Sequence, residues 1–326
     1  MSSSMVNDSV YIASQNNPLY IFNKKTGKYL NQIGSIGTGP DQYSFIVDFR
    51  ISSKLIIIFD TIQFRLLFYS KNGKHLATRN IPEVLIGHSI KTFFYNENNK
   101  TIYFVSDSVI KELPYHILGY QLNFTNYSFT LKQKFINSSN KLTPYMPFIE
   151  RGVSDGNAYY SSKNATITTA LPYIGEIYEV NTNTGSIKQI VNNKPPFFKK
   201  AEPWDQKEEA KSRTKSLDWI NAIQRKSTAT NAILPYKDRF FIKMYGVFPR
   251  PDEPIYQSFI VVEDTYHNKS YYGEEVHQNR IFVPDLIKDD VMYKLDMRPV
   301  FIASIEKKVA NPTLRTIHLS DEVFQE

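Results

Sequence analysis

A unit of about 45 residues recurs along the chain, and this period constrains the fold more than any single residue does. Each copy carries a short apolar strand, a polar turn and a second strand rich in Ile, Tyr and Phe. The second strands begin near Val10 (VYIAS), Leu55 (LIIIFD), Thr101 (TIYFVSD), Asn157 (NAYYSS), Arg239 (RFFIKMY) and Val291 (VMYKLD), at intervals of 45, 46, 56, 82 and 52 residues. The strands leading into them read IVDFRI (46–51), IKTFFY (90–95), PFIERGV (147–153), NAILPY (231–236) and VPDLIK (283–288). The first copy has no such strand, so residues before Val10 or the segment after Leu319 are expected to supply it.

Each unit continues with a third strand, a tight turn and a fourth. That turn reads Asn23-Lys24-Lys25-Thr26-Gly27-Lys28, Ser70-Lys71-Asn72-Gly73-Lys74 and Asn181-Thr182-Asn183-Thr184-Gly185-Ser186, with Gly where a hairpin needs positive φ. Four strands per unit and six units predict an all-β fold, a single six-bladed β-propeller spanning 1–326. One four-stranded sheet cannot bury both faces alone, and radial stacking buries each face on its neighbour. A pair of β-sandwiches is the competing fold, and the recurring interval argues against it. Beyond a 45-residue unit, the third interval carries 11 extra residues and the fourth 37. The fourth excess includes Glu202–Lys226, rich in helix formers, which predicts a helical insertion at about 200–227 between blades four and five.

Composition agrees with this reading. Hydrophobic residues are 41% and charged residues 22%, as in a globular protein. Aromatics reach 14% and Gly is only 13 of 326, which favours strands. The absence of Cys excludes disulfides, cysteine nucleophiles and thiolate metal sites. The longest apolar cluster, Leu55–Phe59, is of strand length, so no transmembrane segment is expected. Met1–Met5 lacks the basic and apolar regions of a signal peptide. The net charge of +7 comes from scattered basic residues and reads as solubility, with no nucleic-acid partner expected.

Residues 33–48, IGSIGTGPDQYSFIVD, resemble the NHL-type repeat, in which Gly-x-Gly-Pro-x-x-Tyr/Phe links one blade to the next. Gly37, Gly39, Pro40, Asp41 and Tyr43 match that pattern. Phe59-Asp60-Thr61-Ile62-Gln63-Phe64-Arg65-Leu66 is similar to the Asp-x-x-Asn-x-Arg-Ile stretch of the same repeat, with Gln63 in place of Asn. With Phe68–Lys74, these segments resemble the NHL-like six-bladed propellers found as secreted bacterial lipoproteins of mostly unknown activity. The match covers roughly residues 10–80. The resemblance implies a lipoprotein of the cell envelope or outer surface, although the sequence shows neither a signal peptide nor a lipidation Cys.

Propellers bind ligands where the inner strands converge. Asp48 and Glu150 each lie seven residues before the following second strand, Asn231 eight before and Asp285 six before. Such a ring of oxygens suits Ca²⁺, and ordinary channel polarity explains it as well. Arg50 and Arg151 stand nearby, to pair with Asp48 and Glu150 or to bind an anionic ligand. These six residues are the candidate channel site. No other cofactor is indicated, no nucleophile elbow of the form Gly-x-Ser-x-Gly exists, and the six His show no metal-ligand spacing. Asp60 and Arg65 read as structural ties. The expected function is a non-catalytic binding or scaffold propeller of the cell envelope, monomeric, engaging a glycan, peptide or protein partner. A metal-assisted hydrolase or lactonase at the channel mouth is the alternative. An electrostatic polyanion binder is a third reading, resting on net charge alone.

Overall fold

The computed structural model describes residues 2–13, 17–88, 90–106, 113–142, 157–171, 174, 176–191 and 198–199. From residue 229 onward it describes the backbone of seven strands, with the side chains of Ile233 and Leu234. The chain divides into two compact units, Met1–Ser139 and Asn140–Glu326.

The first unit holds three four-stranded antiparallel sheets. Sheet one is β1 (Ser2–Val6), β2 (Ser9–Ala13), β3 (Leu19–Asn23) and β4 (Tyr29–Ile33). A linker follows, in which β5 (Ser35–Ile36) and β6 (Gln42–Tyr43) pair in parallel. Sheet two is β7 (Ile46–Ile51), β8 (Leu55–Asp60), β9 (Arg65–Ser70) and β10 (His75–Asn80). After a 3-10 turn at Glu83–Leu85, sheet three is β11 (Ile90–Asn96), β12 (Thr101–Ser106), β13 (Tyr115–Asn123) and β14 (Ser128–Asn137). One helical turn, α1 (Ser139–Leu142), comes next.

The second unit repeats the plan. Its sheets are β15 (Asn157–Ser161), β16 (Thr166–Ala170), β17 (Ile177–Asn181) and β18 (Ile187–Val191), then β19 (Ala229–Tyr236), β20 (Phe240–Val247), β21 (Gln257–Asp264) and β22 (Lys269–Glu275). Among the described residues the last sheet has three strands, β23 (Leu286–Lys288), β24 (Val291–Asp296) and β25 (Thr313–His318). In each unit the first strands of successive sheets are neighbours: β1, β7 and β11, and likewise β15, β19 and β23.

Sheet two explains why LIIIFD is a continuous apolar run. Side chains alternate faces along a strand. Ile57 and Phe59 join a cluster with Phe93, Ile102 and Phe104 of sheet three. Ile56 and Ile58 join another with Leu19, Ile21 and Ile33 of sheet one. Both faces are therefore covered, and each fully buried Ile contributes about 1.5–3 kcal/mol.

Residues before Val10 do supply the inner strand of the first sheet, since β1 pairs with β2 in the register Ser3↔Ile12 and Met5↔Val10. The repeated third-to-fourth turns form as the sequence predicts. The Asn23 side chain accepts hydrogen bonds from the amides of Lys25 and Thr26, and Asn181 does the same for Asn183 and Thr184. Gly27, Gly73 and Gly185 have φ of 67°, 87° and 78°.

The fourth sheet corrects the sequence alignment. Asn157–Ser161 is the first strand, and the second is Thr166–Ala170, TITTA, fully buried. A Thr-rich strand lacks the Ile/Tyr/Phe signature used to recognise its equivalents. PFIERGV thus stands ahead of the first strand. The expected helical insertion at 200–227 lies outside the described residues.

Candidate functional site

Of the six candidate channel residues, Asp48 and Arg50 have described side chains. Both sit on β7, which carries a bulge at Val47 between the pairs Ile46↔Asp60 and Asp48↔Phe59. β11 carries the same bulge at Lys91, between Ile90↔Ser106 and Thr92↔Val105. Asp48 and Thr92 therefore hold equivalent positions on adjacent inner strands, each opposite the fifth residue of its second strand.

Both oxygens of the Asp48 carboxylate are engaged. Its Oδ1 accepts from the Phe49 amide at 2.8 Å and from Arg50 Nη1 at 2.5 Å. Its Oδ2 accepts from the Thr92 hydroxyl at 2.5 Å. Arg50 Nη2 donates in turn to Thr92 Oγ1 at 2.6 Å, and Nη1 to the Phe49 carbonyl at 2.7 Å. The guanidinium lies 5.2 Å and 5.0 Å from the ring centroids of Phe93 and Phe94, within cation–π range. The expected Asp48–Arg50 pairing is present. The cluster braces two blades, and both carboxylate oxygens of Asp48 take part in it.

Glu150, Arg151 and Asp285 lie outside the described residues. Asn231 occupies the bulge of β19, between Thr230↔Tyr245 and Ala232↔Met244, the register position of Val47 and Lys91. Ala232 is the residue that matches Asp48. Among the described residues, no three His, Asp or Glu gather closely enough to hold a metal ion. Thr92, Phe93 and Phe94 complete the cluster and were not singled out as partners of Asp48.

The sheets also define two ends. In a four-stranded meander, the first-to-second and third-to-fourth turns emerge at one end. The second-to-third loops and the inter-sheet linkers emerge at the other, which is the loop end. Among the described residues, hydrogen bonds tie the loop end of the first unit together. Gly37 N donates to the Tyr43 carbonyl at 3.1 Å, and the Gln42 side chain accepts from Gly39 N at 3.0 Å. Gly37 has φ 156°, a backbone conformation that L side chains rarely adopt, and a Cβ there would stand 2.2 Å from Gln42 Oε1. Tyr43 is fully buried; its hydroxyl donates to the Ile33 carbonyl at 2.5 Å and accepts from the Leu19 amide at 2.9 Å. Burial pushes its phenol far above the ordinary range.

Asp60, wholly buried, accepts from Ser44 N at 2.9 Å, Gln63 N at 3.3 Å and Arg65 Nε at 3.4 Å. Arg65 Nη2 reaches the Gln42 carbonyl at 2.7 Å. Gln63 donates to Ser44, and Ile81 N donates to the Phe64 carbonyl at 2.9 Å. The loop at 61–64 is thereby tied to the linkers on both sides. Three isoleucines nevertheless remain exposed on these segments: Ile36 (39%), Ile62 (62%) and Ile86 (43%).

Successive four-stranded meanders with adjacent inner strands define a propeller. The chain belongs to the DUF5128 family, described as 6-bladed beta-propeller, whose model matches residues 3–284. Among solved structures it is similar to a protein of Bacteroides fragilis NCTC 9343 assigned as exported, with TM-score 0.60 and 16% identity over 95% of this chain and 83% of that one. It is also similar to a member of the duf4221 family from Bacteroides vulgatus, with TM-score 0.61 and 11% identity over 98% and 92%. A comparison with curated proteins gives no match. The fold is all-β, a six-bladed propeller. Among the described residues, no helix is long and apolar enough to cross a membrane.

Proposed function

We propose that the chain is a non-catalytic binding propeller of the cell envelope that engages a protein or peptide partner through its loop end. The observation that carries this reading is the trio Ile36, Ile62 and Ile86. Exposed apolar side chains on loops already fixed by hydrogen bonds cost little further ordering when a partner covers them, which suits them as anchors. Isoleucine lacks the flat ring that stacks on sugars, so a protein or peptide fits better than a glycan. The similarity to a Bacteroides protein assigned as exported supports the envelope location.

The hydrogen bonds of Asp48 to Phe49, Arg50 and Thr92 favour a bracing role for it over metal ligation. The channel positions Glu150, Arg151, Asn231 and Asp285 remain candidates for contact with the same partner.

The test is a photo-crosslinking amino acid at position 62, followed by identification of the adduct from envelope preparations. The reading expects one defined protein adduct that disappears when Ile36 and Ile86 are both changed to Asp. No adduct above that from a probe at the exposed Lys132 of β14 would refute it.

A further inference from the structure

The ring formed by Asp48, Arg50 and Thr92 leaves one edge of its guanidinium unused. A guanidinium carries five N–H donors in one plane. Arg50 engages three of them. Its Nη1 donates to Asp48 Oδ1 at 2.5 Å and to the Phe49 carbonyl at 2.7 Å, and its Nη2 donates to Thr92 Oγ1 at 2.6 Å. Asp48 and Thr92 are bonded to each other at 2.5 Å, so they meet the guanidinium together, at the end formed by its two Nη atoms. The donors left over are Nε–H and the second Nη2–H, which lie side by side along the adjoining edge. Among the described residues no acceptor meets either of them.

The Arg50 side chain is 27% exposed, against 10% for that of Asp48. Burying an unpaired N–H is costly, so the exposed share of the guanidinium falls on this edge. The group is also held in place. Three hydrogen bonds fix it, and the Phe93 and Phe94 rings stand 5.2 Å and 5.0 Å from its centre. A ligand therefore meets a preformed pair of donors, and little side-chain freedom is lost when it binds. Arg50 lies on β7, the first strand of its sheet and the neighbour of β1 and β11, so the pair of donors stands among the inner strands.

We infer that this edge of Arg50 binds the carboxylate of a ligand. Two parallel N–H donors match the two oxygens of a carboxylate. Charge narrows the class. Asp48 already balances Arg50, so an incoming anion is favoured by the paired hydrogen bonds and opposed by the Asp48 charge close by. A dianion such as sulfate meets twice that opposition. A neutral hydroxyl lacks the charge that makes such hydrogen bonds strong. The class is therefore a singly charged carboxylate, borne by an acidic sugar or by an acidic peptide group. This inference stands independently of the loop-end isoleucines.

The test is NMR titration of the Arg50 Nε–H signal in the full chain, assigned by its loss in Arg50→Lys. Acetate, D-glucuronate and N-acetylaspartate amide are expected to shift it saturably. D-glucose, and chloride at matched ionic strength, are expected to leave it in place. Sulfate should bind more weakly than acetate. The tighter of glucuronate and the aspartate amide identifies the source of the carboxylate. Asp48→Asn removes the opposing charge and keeps the shape, and is expected to tighten acetate binding by on the order of 3- to 30-fold. Circular dichroism melts show whether that variant folds, and the wild-type titrations stand without it. An Arg50 signal unmoved by all three carboxylates, or moved as far by chloride, would overturn the inference. So would sulfate binding as tight as acetate, or weaker acetate binding to a folded Asp48→Asn.

Discussion

The Thr92 hydroxyl of β11 donates to the Asp48 carboxylate of β7 at 2.5 Å, joining the inner strands of two successive blades. The same hydroxyl accepts from Arg50 at 2.6 Å, so one threonine closes a ring of three polar side chains. Thr92→Val removes both bonds while keeping the shape. It is expected to lower stability by about 1–3 kcal/mol. A double-mutant cycle with Asp48→Asn, read by urea unfolding, should show coupling of at least about 0.5 kcal/mol. Additive losses would mean that the ring is incidental.

Asp60 should be among the most sensitive positions in the chain. Its removal leaves Arg65, 7% exposed, without its carboxylate, and frees the amides of Ser44 and Gln63. Asp60→Ala is expected to cost about 3–5 kcal/mol. Tyr43→Phe strands the Leu19 amide and the Ile33 carbonyl, at about 1–3 kcal/mol. Chemical denaturation of the two variants should rank them in that order.

The hairpin turns offer a test in the opposite direction. Ala165 adopts φ 51°, where an L-residue is strained. Ala165→Gly is expected to stabilise by up to about 1 kcal/mol, once the added freedom of the unfolded chain is offset. Gly185→Ala, at φ 78° with open space around its Cβ, should cost about 1–2 kcal/mol through the backbone alone. Gly73→Ala adds contact with Ile33 to the same strain and should cost more. Melting curves of the three variants check the order.

Glu97 gives a pH signature. Its hydrogen bonds from Ser53, with Lys54 and Lys71 nearby, hold its carboxyl below the ordinary carboxylate value of 4.5. A depressed folded value means that the contribution is present above the unfolded pKa and lost as pH falls through the folded one. The stability gap between wild type and Glu97→Gln is therefore expected at neutral pH and should close below pH 4.5. A gap that widened on acidification would contradict this.

Much of the fold was legible because turn chemistry is local. The Asn and Gly positions of the 23–28 and 181–186 turns, and the Gly37–Tyr43 linker, act through their own neighbours, and the structure builds them as read. Five of the six second strands were also placed, from their apolar character. The fourth was missed because TITTA is buried through threonines. The candidate site was less legible, for a register reason. Counting back from the second strand grouped Asp48 with Asn231. The hairpin after β7 is shorter than that after β11, so equal offsets are not equal positions. Pairing matches Asp48 with Thr92 and Ala232 instead, and places Asn231 on the bulge. Bulges and hairpin lengths depend on the partner strand, which a linear count does not see.

The central claim is that the side chains of Ile36, Ile62 and Ile86 offer a free binding surface and take no part in the chain's own packing. Thermal unfolding of the variant Ile36→Asp, Ile62→Asp, Ile86→Asp tests it most directly. Exposed positions away from the core usually change stability by no more than about 0.5 kcal/mol each, so the melting temperature should stay within a few degrees of wild type. A fall of ten degrees or more, on the order of several kcal/mol, would show that the three isoleucines pack within the protein and would contradict the account.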